Sequence, residues 1–105
     1  MHYQSYCTGD LTAGIVAAAY AKNISVFIAS GNSGWTDGIS NPACVQYAIP
    51  VGAVDGNDAI LYNRGSLLKL VVPGTNIDST TLNGGWVSLS GTSMATPHAS
   101  GAAAL

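Results

Sequence analysis

The stretch that decides the fold runs from residue 10 to residue 34 and reads DLTAGIVAAAYAKNISVFIASGNSG. Residues 10–22 predict a helix, because Asp10 can cap its first turn and Asn23 can take the left-handed conformation that closes it. Residues 24–29 are a short β-branched apolar run, typical of a strand covered on both faces of a parallel sheet. A helix followed by a buried strand indicates an α/β layer. The face expected to carry the helix's apolar side chains comprises Leu11, Ile15, Ala18 and Ala19.

The segments outside this stretch extend the same architecture. Residues 31–42 predict a loop beyond the carboxyl end of the first strand, where open parallel sheets bind ligands. Residues 48–54 and 67–72 predict further strands, although Pro50 cannot donate to a ladder. A hairpin is predicted from residues 76–81 and 86–90, and a helix with no polar face follows Ser93. We expect its Pro97 to be tolerated near the first turns.

The composition limits the classes of partner. Only 8% of the 105 residues are charged and 48% are hydrophobic, whereas an average soluble domain is roughly 25% charged, so much of the chain should face other protein. The net charge of −2 and the scattered cations exclude a nucleic-acid surface. Lys22 and Asn23 interrupt the most apolar stretch, so no membrane span is predicted.

The cysteines and histidines do not predict a metal site. Cys7 and Cys44 lack paired CxxC spacing, and His2 and His98 lie singly along the chain, which makes a poor tetrahedral ligand set. The two cysteines could form a disulfide or remain free thiols.

Residues 91–98, GTSMATPH, place Ser93 between a β-rich segment and a helix of small residues. A serine needs a base to become a nucleophile, and the tetrahedral intermediate needs donors aimed at its oxyanion. The amides at a helix start point outward, so the Ser93 N–H is a natural first donor. The side-chain amide of Asn32, in the upstream polar loop, could be the second.

These two motifs together resemble those of the subtilisin-like serine proteases, the subtilase family. Residues 91–98 are similar to the family's serine motif, and residues 29–34 are similar to its oxyanion-asparagine motif. Residues 49–55, and the Val-Pro-Gly residues 72–74 that end the next predicted strand, also resemble the family's segments in order and spacing. The resemblance covers roughly residues 8–105 and implies a parallel-sheet, three-layer α/β fold of which this chain is the C-terminal part. Residues 1–105 are accordingly interpreted as a partial peptidase domain truncated in its last helix.

The resemblance also implies roles for individual residues. Ser93 would be the acyl-forming nucleophile, Asn32 the oxyanion donor, and the backbone of Ala29, Ser30 and Gly31 the wall of the pocket for the residue before the cleaved bond. His98 would be a structural residue of the helix, because five residues along a helix exceed one turn and its ring cannot easily meet the Ser93 hydroxyl.

The rest of the triad is expected upstream of this chain. In subtilisins the order is Asp, His, Ser, yet no His-Gly-Thr run occurs here and none of the aspartates fits a family motif. We therefore expect the isolated chain to be inactive in peptide hydrolysis. The alternative is a non-catalytic peptide-binding or degenerate remnant of such a protease. An α/β-hydrolase is disfavoured, because its serine elbow needs glycine where this chain has Ala95.

The remaining expectations also follow from the resemblance. The chemistry would require no cofactor and no metal held by this chain, and a structural calcium would belong to the full-length protein, although Lys69 argues against one weaker cation site. The partners would be a polypeptide substrate and the missing N-terminal part of the domain. The parent would be secreted. Cys7 and Cys44 would both lie beside the substrate pocket, which makes a disulfide between them plausible.

Overall fold

The computed structural model describes all 105 residues. It contains eight short strands and two helices, α1 early in the chain and α2 at its end. In chain order the elements are β1 (His2–Tyr3), α1 (Leu11–Ala21), β2 (Phe27–Ala29), β3 (Ile39–Ser40), β4 (Ile49–Val54), β5 (Ile60–Leu61), β6 (Leu70–Pro73), β7 (Ile77–Thr80), β8 (Trp86–Leu89) and α2 (Thr92–Ala103).

The central sheet is built on β4, which pairs in parallel with β2 on one side and β6 on the other. The short β5 pairs antiparallel with the end of β4. Successive residues of β2 face opposite sides: Ile28 packs against a core that contains Val16 of α1, and Phe27 packs against a core that contains Ala95 of α2. The two helices therefore cover opposite faces, which confirms the α/β class and its helix–sheet–helix layering.

Pro50 is accommodated within β4 by the register of the sheet. Its carbonyl accepts from the Lys69 amide, so its ring nitrogen points to the same side. The β6 strand begins only at Leu70, opposite Val51, and no ladder partner therefore needs a donor at residue 50. The predicted strand 48–54 is confirmed to within one residue.

Helix α1 begins and ends as predicted, but its buried face differs. The Asp10 carboxylate accepts from the Thr12 amide, and Asn23 has a φ of 59°. The expected apolar face is wrong, because Leu11 and Ile15 are 92% and 69% exposed, whereas Val16 is buried. The helix is apolar on nearly every side, so its sequence period could not select the face that packs.

Hydrogen bonds also act on the capping carboxylate. The Asn41 side-chain amide donates to Asp10, and this bond, followed by those from Thr12, lowers the pKa of the Asp10 carboxyl below its ordinary value. Because Asn41 follows β3, this hydrogen bond ties the start of α1 to the segment after β3. The peptide bond between Asn41 and Pro42 is cis.

Two long-range links lie near the N-terminus. The sequence left the first as one of two alternatives and did not predict the second. Cys7 and Cys44 form a disulfide, 37 residues apart in sequence, which confirms that alternative over free thiols. Strand β1 pairs antiparallel with β3, inside the segment 31–42 predicted as loop. Strands of two residues carry too little pattern to be recognised in a sequence.

The last elements are a hairpin and a helix. Strands β7 and β8 form the predicted antiparallel hairpin, with Thr80 opposite Trp86. In α2, Pro97 is the sixth helical residue, which places it near the helix start as expected but beyond the four amides that lack intrahelical partners. Proline cannot supply the amide that would otherwise bond the Ser93 carbonyl. Neither helix has the length and apolar character needed to cross a membrane.

Candidate active site

The carboxyl end of β2 carries the first half of the site. Ala29 ends the strand half-buried, Ser30 is fully buried, Gly31 is half-buried and Asn32 is exposed. Gly31 has a φ of 102°, in the left-handed region that favours glycine. A Cβ at Gly31 would collide with the side chains of Ser40 and Asn63. The backbone turns sharply there and presents Asn32 outward.

The N-terminus of α2 carries the second half. Gly91 is the N-cap, with a φ of 150° and no capping side chain, and its amide donates to the Gly74 carbonyl at 2.7 Å. Ser93 is the second helical residue and is exposed. The backbone N–H of Ser93 has no acceptor within the chain. At a helix N-terminus, such an amide favours a developing negative charge.

Thr92 joins the two halves. The Asn32 Oδ1 atom accepts from the Thr92 amide and from the Thr92 hydroxyl, both at 2.9 Å. The same hydroxyl accepts from the Gly31 amide at 3.2 Å. The Asn32 Nδ2 group makes no hydrogen bond within the chain and lies against Gly91. Two free donors, Asn32 Nδ2 and the Ser93 N–H, therefore lie at one helix end.

A groove of about 350 Å³ lies between the β7–β8 hairpin and the first turns of α2. Ser93 lines it together with Ile77, Val87 and Leu89 from the hairpin. His98 also lines the groove, and its Nδ1 atom is hydrogen-bonded to the Met94 carbonyl at 2.9 Å. The lining therefore mixes apolar side chains with polar ones, which include Asp78 and Ser79, and Ser93 places its exposed hydroxyl at the helix end.

Two residues of the site were missed by the sequence reasoning. The Thr92 hydroxyl lies inside the recognised serine motif, so its position beside Ser93 was a usable signal. Asn63, fully buried behind Ser30 and Gly31, has no such signal. Asn63 reaches the end of β2 only because the chain reverses direction after β5.

An exposed serine at a helix N-terminus and a carboxamide donor from a neighbouring strand end thus lie at one edge of a three-layer α/β fold, with Thr92 between them. The comparisons with known proteins show the family to which such a chain belongs. The model of the subtilase family, Peptidase_S8, matches residues 3–105. This chain belongs to the subtilase family, and the family prediction is confirmed.

The relatives and solved structures share the family but are longer. Subtilisin BL of Lederbergia lenta is 47% identical over 92 residues, which is 86% of this chain and 34% of that protein. Subtilisin E of Bacillus subtilis (strain 168) is 42% identical over 97 residues, 90% of this chain and 24% of that protein. The self-cleaved protease domain of PatA superposes with a TM-score of 0.87 at 31% identity, covering 99% of this chain and 41% of that chain. The chain thus spans about a third or less of these curated relatives.

Proposed function

We propose that this chain is the nucleophile-bearing part of a serine endopeptidase of the subtilisin type. The observation that carries the proposal is the bond pair from Thr92 to Asn32 Oδ1, which leaves Asn32 Nδ2 and the Ser93 N–H as free donors at the same helix end. Preorganised donors of this kind stabilise the oxyanion of acyl transfer in a site where water is excluded.

The proposed reaction proceeds through an acyl-enzyme. The Ser93 Oγ attacks the peptide carbonyl carbon while its proton passes to a base, and the carbonyl oxygen becomes an oxyanion held by Asn32 Nδ2 and the Ser93 N–H. Collapse of the intermediate breaks the C–N bond, and the amine leaves with the proton from the base. Water then attacks the Ser93 ester and returns the enzyme. The backbone of Ala29, Ser30 and Gly31 would contact the substrate residue before the cleaved bond.

The base and its orienting carboxylate would come from outside the chain. His98 is held to the Met94 carbonyl within its own helix, and no His-Gly-Thr run is present. Exposed apolar side chains mark the surface that the rest of the domain would cover. They include Leu11 and Ile15 on α1 and Trp86 on the hairpin, exposed by 92%, 69% and 76%.

The same proposal covers partners, cofactors and location. The substrate would be a polypeptide, with neither nucleic acid nor membrane as partner, and the chemistry would use side chains and amides without a cofactor. A structural calcium would belong to the full-length protein. The Cys7–Cys44 disulfide supports an extracellular parent, because disulfides persist in oxidising compartments.

The experiment is a chimera in which the matched 86% of this chain replaces the corresponding stretch of Subtilisin BL, assayed on fluorescein-labelled casein beside the isolated chain. We expect Ser93-dependent hydrolysis by the chimera, none by its Ser93→Ala variant and none by the chain alone. Asn32→Ala should lower kcat by roughly 10²–10³, the loss known for subtilisin itself. Asn83→Ala, at the exposed hairpin tip, is the matched control.

Two outcomes would contradict the proposal. Hydrolysis by the isolated chain that disappears in the Ser93→Ala variant would show that no further triad residues are needed. A folded chimera without Ser93-dependent hydrolysis would instead identify the chain as a binding or degenerate remnant.

A further inference from the structure

Asn63 is a fully buried polar residue that the proposed chemistry does not use directly. It follows β5 and precedes the turn into β6, and its exposed fraction is 0%. A buried carboxamide is costly unless its polar atoms are hydrogen-bonded. All the partners of Asn63 outside its own segment belong to the loop after β2 and to β3.

The side chain of Asn63 bonds on three sides. Its Nδ2 group donates to the Ser30 carbonyl at 3.0 Å and to the Ser40 hydroxyl at 2.9 Å. Its Oδ1 atom accepts from the Trp35 amide at 3.2 Å. Both amide protons and one carbonyl lone pair are thus used, which is a nearly complete set for a carboxamide.

The backbone of Asn63 bonds to the same loop. Its amide donates to the Gly31 carbonyl at 3.1 Å, and its carbonyl accepts from the Ser30 hydroxyl at 3.0 Å. Asn32 lies between Gly31 and Trp35, so Asn63 anchors the chain on both sides of it. Asn63 itself makes no hydrogen bond to Asn32 or Thr92.

We propose that Asn63 is a positioning residue that sets the direction of the Asn32 side chain and thereby the oxyanion hole, an inference that rests on the proposed function. The carboxamide is required because one side must donate to the Ser30 carbonyl while the other accepts from the Trp35 amide. The Asn63→Asp change would keep the shape of the side chain but would place an oxygen against the Ser30 carbonyl, which repels it. The missing side chain at Gly31 leaves room for the Asn63 amide.

The first test needs no catalysis. In the structure the Thr92 amide donates only to Asn32 Oδ1, so its hydrogen exchange in the chain reports where the Asn32 side chain lies. We expect Asn63→Asp to accelerate Thr92 exchange about tenfold or more, as for local opening, while the Gly74 amide of the sheet stays protected. Asn57→Asp, an exposed change of the same chemistry, should leave both amides unchanged.

Two exchange results would overturn the proposal. In one, Thr92 exchange is unchanged in Asn63→Asp. In the other, the Thr92 and Gly74 amides accelerate by the same factor, which would make Asn63 a general stabiliser of the fold. If Asn63→Asp does not fold, Asn63→Ser keeps one short donor and is measured in its place.

The second test is a double-mutant cycle in the chimera. We expect Asn63→Asp to lower kcat on the order of tenfold with a smaller change in KM, since misplacing a positioned group by less than 1 Å carries a cost of this order. In an Asn32→Ala background the same change should lower kcat less than about twofold, because the group it positions is gone. Equal losses in both backgrounds would overturn the proposal. An inactive parent chimera would count against the proposed function, and the exchange measurement would still decide the role of Asn63.

Discussion

Replacing Thr92 by valine tests the link between the two halves of the site. The change keeps the shape of a fully buried side chain and removes its hydroxyl. Two hydrogen bonds disappear with that hydroxyl, one to Asn32 Oδ1 at 2.9 Å and one from the Gly31 amide at 3.2 Å. Asn32 Oδ1 keeps the Thr92 amide as a donor, whereas the Gly31 amide has no other acceptor.

The expected loss of stability follows from this count. A net hydrogen bond contributes about 1 kcal/mol, and a buried donor left unsatisfied costs about 1–3 kcal/mol. We therefore expect Thr92→Val to lower the free energy of unfolding by about 2 kcal/mol. With a urea m-value of about 1–3 kcal/mol/M for a small protein, the midpoint should fall by roughly 1 M.

The assay is urea unfolding of the chain, followed by the fluorescence of its two tryptophans. Thr96→Val is the matched control, because the Thr96 hydroxyl donates to the Thr92 carbonyl of its own helix. Such a back-bond contributes little, and the control should cost less than about 0.5 kcal/mol. If Thr92→Val were no more destabilising than Thr96→Val, the reasoning that Thr92 joins the two halves would be refuted.

Three further predictions concern other parts of the fold. Gly31→Ala should abolish cooperative unfolding, because the new Cβ would collide with Ser40 and Asn63. Gly34→Ala, also at positive φ but with open space around it, should lower the free energy of unfolding by only about 1 kcal/mol. Equal losses of stability, followed by circular dichroism, would contradict the packing argument. Reducing and alkylating the Cys7–Cys44 disulfide should lower the free energy of unfolding by about 4 kcal/mol on the chain-entropy account of a 37-residue separation, and an unchanged urea midpoint would count against it. Because the folded pKa of Asp10 is lowered, its stabilising effect should be complete above the unfolded value of about 3.9 and be lost as pH falls through the folded pKa. Asp10→Asn should reduce the acid loss of stability measured between about pH 7 and 2, and an identical pH profile would argue against the cap.

The elements predicted from sequence are those whose signals are local. The cap at Asp10, the left-handed Asn23 and the hairpin need only neighbouring residues to be recognised. The motifs around Asn32 and Ser93 likewise occupy short contiguous stretches, and the structure brings both to the α2 end of the sheet through Thr92. Their catalytic roles remain predictions.

The features that escaped prediction depend on contacts distant in sequence. Asn63 is an ordinary loop residue until the fold brings it behind Ser30, 33 residues away. The buried face of α1 is selected by the disulfide-linked core around Val16 and not by the period of the helix. Strands β1 and β3, each two residues long, pair as strands only with one another.

The two bonds from Thr92 to Asn32 span 60 positions of the chain. Strands β4 and β6 lie between these positions in the sequence, so the bonds join residues on either side of the central sheet's strands. On the proposed function, a chain in which these bonds have not formed would have the serine hydroxyl without the oxyanion hole. On the same proposal, hydrolysis would depend on a contact between distant parts of the chain, and an incompletely folded chain would not cleave its own copies.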